Sequence, residues 1–168
     1  MNRGRAPSNG AIMTERDTAL LVHDKSMTLT TLKAALECQG IRVREVSTCA
    51  QAKRWLGGFD PAPLVFTDTQ MPDGTWADVL RVAEKCRKAV NVIVVSRIVD
   101  TRFYVQAIET GAFDFLAPPF NSTDLAYVVR NALDNAVARR TAPLGGARGA
   151  MNGVPHEVGD LTAPSASN

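Results

Sequence analysis

The sequence predicts an α/β fold: a five-stranded, parallel, doubly wound sheet of order 2-1-3-4-5 with helices on both faces. Two observations predict it. Short apolar runs, ALLV at 19–22, PLVFT at 63–67 and VIVV at 92–95, suit strands covered on both faces. Between such runs lie segments with apolar residues at helical spacing, in strict alternation. Right-handed crossovers then leave few topologies, and the short doubly wound order is the natural one for five strands.

The elements follow in order. After the first strand, Leu29, Leu32 and Leu36 fall on one helical face and Gly40 supplies a stop. Residues 41–46 alternate apolar and polar, as an exposed edge strand does. Thr48 and Gln51 form a capping-box pattern, followed by Ala52, Trp55 and Leu56 on an apolar face and closed by Gly57-Gly58. The third strand, 63–67, leads through an Asp73-Gly74 turn to a helix marked by Trp76, Val79, Leu80 and Ala83. Core packing is the expected role of both tryptophans. The β-branched run 92–95 is the fourth strand. A helix over 101–110 ends at Gly111, and 112–116 is the fifth strand. Pro118-Pro119 reads as a rigid loop suited to a cis bond. Asn121 caps a last helix whose Leu125, Val128, Val129, Ala132, Leu133 and Ala136 form one stripe.

Composition bounds the rest. The 168 residues, 45% hydrophobic and 21% charged, suit one globular domain with flexible ends. Residues 1–17 are expected to be a disordered arm, 18–140 the domain, and 141–168 a disordered tail rich in Gly, Pro, Ala and Ser. Met13 opens MTERDTALLVHD, a natural start for the folded part. A net charge of +2, with basic residues dispersed, argues against nucleic acid as a partner, and no run reaches the roughly 18 apolar residues of a membrane span. Cys38, Cys49 and Cys86 are odd in number and widely spaced, so they read as reduced thiols in a cytoplasmic protein. The phosphate-cradling patterns G-x-G-x-x-G and G-x-x-x-x-G-K-[ST] are absent, as is a nucleophile paired with a base; no enzymatic activity is expected.

In a doubly wound sheet, ligands bind beyond the carboxyl ends of the strands where the winding reverses. The residues there are His23-Asp24, Asp68, Ser96 and Ala117-Pro118. Carboxylates brought together repel, and hard oxygen donors with room for water suit Mg²⁺. A carboxylate neutralised in this way can accept a phosphoryl group as an acyl phosphate, with a hydroxyl such as Ser96 bonding a phosphoryl oxygen. His23 is expected to be packed or hydrogen-bonded, since no second histidine or cysteine is placed to make a transition-metal site; the other histidine, His156, falls in the tail.

The segments LLVHD (20–24), LVFTDTQMPDG (64–74), VIVVS (92–96) and GAFDFLAPPF (111–120) resemble the receiver domains of bacterial response regulators, in order and at matching spacing over about residues 18–138. The resemblance implies a flavodoxin-like fold. It also implies a phosphoacceptor at Asp68, loaded by a histidine kinase or phosphotransfer protein. Mg²⁺ would be held by Asp24, Asp68 and the Gln70 carbonyl. Ser96 and Phe115 would be the hydroxyl and aromatic positions of the phosphate switch, which changes affinity for a downstream protein partner or a second copy of the chain.

Three positions depart from the family pattern. His23 replaces a second acid, Arg97 a small residue, and Pro118 the lysine that pairs with the phosphoryl group. Arg97 or Lys25 is the candidate compensating cation. The alternative function is a pseudo-receiver, an interaction module that works without phosphorylation.

Overall fold

The computed structural model describes residues 18–142 apart from Val99. The expected N-terminal arm with Met13, and the tail from 143 with Gly145-Gly146 and His156, lie outside the described residues. The chain order is β1 (Thr18–Val22), α1 (Met27–Cys38), β2 (Arg42–Val46), α2 (Cys49–Leu56), β3 (Leu64–Asp68), β4 (Gln70–Met71), β5 (Gly74–Thr75), α3 (Trp76–Glu84), β6 (Asn91–Val95), α4 (Thr101–Thr110), β7 (Asp114–Leu116) and α5 (Ser122–Thr141). Five strands pair in parallel in the order β2-β1-β3-β6-β7, the expected 2-1-3-4-5 arrangement of the main strands. The sheet matches the doubly wound, flavodoxin-like expectation.

The core forms because successive strand residues point to opposite faces and both faces are covered. Leu20, Val22, Val65, Val92 and Val94 pack under α2, α3 and α4, meeting Ala52, Leu56, Val79, Leu80 and Ala107. Ala19, Leu21, Leu64, Phe66, Ile93 and Val95 pack under α1 and α5, meeting Leu29, Leu32, Leu36, Leu125, Val129 and Ala132. The helices end where local chemistry stops them. Asp100 and Asn121 accept backbone N–H groups at the starts of α4 and α5, and Gly111 ends α4 with φ 110°, a conformation that side chains with a Cβ resist.

Four details correct the sequence expectations. Trp55 is 47% exposed rather than in the core, with the Arg44 guanidinium 3.9 Å from its ring centroid. It sits where α2 meets the edge strand, so no further layer covers it. At α2, Thr48 Oγ1 accepts the Gln51 N–H at 3.1 Å, but the Gln51 side chain accepts from Ser47 rather than from the cap residue. The fifth main strand is shorter than expected, starting at Asp114. Lastly, the Asp73-Gly74 turn belongs to a small antiparallel hairpin, with Gln70 opposite Thr75 and Met71 opposite Gly74. The peptide bond between Pro118 and Pro119 is cis.

Two polar anchors brace this framework. Asn91 is buried at the start of β6; its Nδ2 donates to the Ala132 carbonyl at 2.7 Å and to Asn135 at 3.1 Å, while its Oδ1 accepts from Arg139. At the other end of the sheet, the Asp73 carboxylate accepts the N–H groups of Cys49 (2.7 Å) and Ala50 (2.9 Å), fastening the hairpin after β3 to the N-terminus of α2. Those two donors, Ala50 foremost, hold the Asp73 carboxyl below the usual carboxylate range. Burial, and then the nearby Asp73 charge, push the Cys49 thiol up to about 11, so it is a packed thiol and not a nucleophile. Gly74 keeps this contact close: a Cβ would lie 2.9 Å from both the Cys49 sulfur and an Asp78 oxygen and would displace one or both.

Two outcomes follow from these anchors. Asn91→Ala leaves the buried Ala132 carbonyl without this partner, so urea unfolding should show a loss of about 1–3 kcal/mol. Because the folded-state pKa of Asp73 is depressed, its stabilisation is complete above the unfolded carboxyl value and is lost as pH falls through the folded one. Thermal melts across acid pH should therefore show a shallower decline in Asp73→Asn than in the parent chain.

Candidate functional site

Each site residue is delivered by a strand that runs out of apolar sequence. Val22 of β1 lies beside Thr67 of β3, and Asp68 of β3 beside Val95 of β6. Asp24, Asp68 and Ser96 therefore leave three consecutive strands at the same edge of the sheet, with nothing inserted between them. The next strand, β7, carries Phe115, and Pro118 follows its end. The topology places these positions at the same ends of neighbouring strands.

Asp68 is half-buried. Its Oδ1 accepts the Thr69 N–H at 2.7 Å and faces the Thr69 hydroxyl at 3.4 Å, which pins one carboxylate oxygen and fixes the side chain's orientation. The Thr69 carbonyl in turn accepts the Trp76 N–H at 3.3 Å, so the start of α3 holds the loop after Asp68. Asp24 is exposed. Ser26, not Asp24, caps α1, so helix capping is not the reason for an acid at 24. Gln70 is exposed in the hairpin.

Ser96 is only 8% exposed. Its hydroxyl is within 3.2 Å of the Ile98 carbonyl and 3.1 Å of the Ile98 N–H, closing the turn after β6. To reach a ligand over the sheet edge, that hydroxyl must give up this turn. Phe115 packs edge-to-face on Phe103 at 5.7 Å and on Tyr104 at 6.0 Å, both from α4, and Phe103 meets Trp76 at 5.7 Å. A row of aromatic rings thus runs from the start of α3 through α4 to β7. Sequence reasoning missed this row and the Thr69 and Asp73 contacts; Thr69 alone carried a local signal, a hydroxyl beside an acid.

The departures are also placed. His23 is 8% exposed, hydrogen-bonded to Glu45 at 3.1 Å and to the Ser26 N–H at 3.2 Å, as expected of a packed histidine. Lys25 and Arg97 are exposed, directly after Asp24 and Ser96, and neither forms an ion pair among the described residues. Pro118 is exposed and supplies neither charge nor N–H. The donor set of two carboxylates and a backbone carbonyl is hard and oxygen-only, which fits Mg²⁺ and not a soft metal. Among the described residues there is no group of three or more His, Cys, Asp or Glu side chains placed to hold a metal by themselves. A cation here would keep water ligands.

Comparison with known proteins agrees with this fold. The model of the response regulator receiver domain matches residues 19–130. The DNA-binding transcriptional regulator NtrC of Rhizobium meliloti (strain 1021) is 35% identical over 116 residues, which are 69% of this chain but 24% of that regulator. The chain thus spans about a quarter of its length. A response regulator receiver domain protein from Clostridium thermocellum superimposes with a TM-score of 0.62 at 26% identity, over 72% of this chain and 97% of that one. The receiver domain of the sensor histidine kinase PA1611 from Pseudomonas aeruginosa PAO1, with a magnesium ion coordinated in its active-site cleft, shares the fold (TM-score 0.61, 22% identity, 70% and 97% coverage). With the family model spanning two thirds of its residues, this chain belongs to the response regulator receiver domains of two-component systems.

Proposed function

We propose that the chain is a phosphoacceptor: Asp68 takes a phosphoryl group from the phosphohistidine of a histidine kinase or phosphotransfer protein, and the change alters affinity for a protein partner. The observation that carries this reading is the emergence of Asp24 and Asp68 from neighbouring strands at one sheet edge, with Ser96 on the next strand. The Asp68 oxygen not held by Thr69 bonds to phosphorus as the P–N bond to the donor imidazole breaks, and the imidazole nitrogen keeps the electron pair. Asp24, Asp68 and the Gln70 carbonyl would hold Mg²⁺, as the magnesium in the Pseudomonas receiver cleft supports. Bound there, the cation would offset the carboxylate charge that repels an incoming phosphoryl group.

The chain's own residues do the rest. Thr69 orients the acceptor. Ser96 exchanges its bond within the 96–98 turn for one to a phosphoryl oxygen, and Phe115 follows against Phe103 and Tyr104. Such a module transfers a signal and catalyses no turnover of its own. The partners fitting it are cytoplasmic kinases or phosphotransfer proteins and a downstream protein, with a homodimer among the assemblies to test. Among the described residues no helix is long and apolar enough to cross a membrane.

Pro118 favours a second reading, the phosphorylation-independent pseudo-receiver. The missing ammonium removes a charge-assisted hydrogen bond of roughly 1.5–3 kcal/mol, about ten- to a hundredfold in an equilibrium. Partner binding unchanged in Asp68→Ala would establish that reading.

Incubation with a small acyl-phosphate donor and Mg²⁺ should add one phosphate, seen by intact mass, and Asp68→Asn should add none; an unmodified parent chain would overturn phosphoacceptance. If Arg97 or Lys25 replaces the lost ammonium, Arg97→Ala or Lys25→Ala should cut labelling about tenfold or more. Unchanged labelling in both variants would remove that compensation.

A further inference from the structure

His23 occupies the place of a family acid, yet it is not a passive substitute. Its backbone N–H continues the ladder onto the Val46 carbonyl of β2 at 3.0 Å, fixing where the side chain starts. The imidazole then bonds at both nitrogens. Nδ1 accepts the Ser26 N–H at 3.2 Å, so the ring proton sits on Nε2 and is donated to Glu45 Oε1 at 3.1 Å. The other Glu45 oxygen is held by Lys33 of α1 at 2.5 Å, and the Lys33 ammonium is the leading cause that keeps the Glu45 carboxyl below its ordinary range.

This arrangement closes a loop. The bond from Ser26 back to His23 encloses only Asp24 and Lys25. Lys25 adopts φ 53°, the left-handed region that non-glycine residues avoid. Ser26 is the N-cap of α1, and Leu29 at the third helical position has no acceptor to reach back to its backbone N–H, which bonds the imidazole instead. The turn that presents Asp24 at the sheet edge is thus splinted from the side by a nearly buried ring, itself braced by Glu45 and Lys33 on neighbouring elements.

We propose that His23 is a positioning residue for divalent-cation binding: it contributes no oxygen ligand, and instead holds the strained 23–26 turn so that Asp24 is preset for the cation. The proposal rests on the reading of Asp24 and Asp68 as cation ligands. It assigns the sequence departure at position 23 a definite trade, one acidic charge exchanged for a rigid turn. Partners that orient a ligand without touching the metal are commonly worth about 10–100-fold in metal affinity.

The test is Mg²⁺ titration by calorimetry on the full chain, for the parent, His23→Ala, His23→Asn and Asp24→Asn, with amide hydrogen exchange at Ser26 measured without metal. His23→Ala should weaken Mg²⁺ binding about tenfold and speed Ser26 exchange. His23→Asn keeps an acceptor near the Ser26 N–H and should recover part of both. If His23→Ala binds Mg²⁺ as the parent does while Asp24→Asn does not, the positioning role is overturned and the cation site stands. If the parent binds no Mg²⁺, or Asp24→Asn binds as well as the parent, the cation site itself fails and takes the positioning role with it. Weakened binding in His23→Ala with Ser26 exchange unchanged would also overturn the splint.

Discussion

The structure depends on one constraint: three neighbouring parallel strands, β1, β3 and β6, are buried on both faces. Ala19–Val22, Leu64–Thr67 and Val92–Val95 each lie at 2% exposure or less. Such strands have no solvent face on which to carry polar side chains, so charged groups are confined to their ends. Parallel pairing then aligns those ends. The acids are brought together by the burial of the residues before them, not by any attraction between themselves, which would be repulsive.

That origin explains why the cleft needs support from its surroundings. The edge is braced from behind at several points. Thr69 pins Asp68, Trp76 holds Thr69, Asp73 fastens the hairpin to α2, and His23 splints the Asp24 turn. None of these contacts brings in a positive side chain. With Pro118 in the family's lysine position, the exposed cations nearest in sequence are Lys25 and Arg97. The loops around the site are therefore organised chiefly by bonds to backbone N–H groups.

The aromatic row from Trp76 through Phe103 to Phe115 and Tyr104 connects this edge to α4 by edge-to-face packing. Tyr104, Val105 and Ile108 on that helix are partly exposed. The same helix is held at its start by Asp100 and at its end by Gly111.

The sequence by itself determined the sheet, its strand order and the identity of the acids at its edge. Those rest on local patterns: apolar runs of strand length, helical stripes such as Leu29, Leu32 and Leu36, and glycine or Asx signals at helix ends. Tertiary structure alone decided what holds those acids in place. Asp73 meets Cys49 across 24 residues, and His23 meets Glu45 across 22. Trp55 misled because a helical stripe records which face is apolar, not how wide the neighbouring sheet is, and at an edge strand the cover ends. Periodicity is written into adjacent residues, whereas a hydrogen bond between distant ones exists only after the chain has closed upon itself.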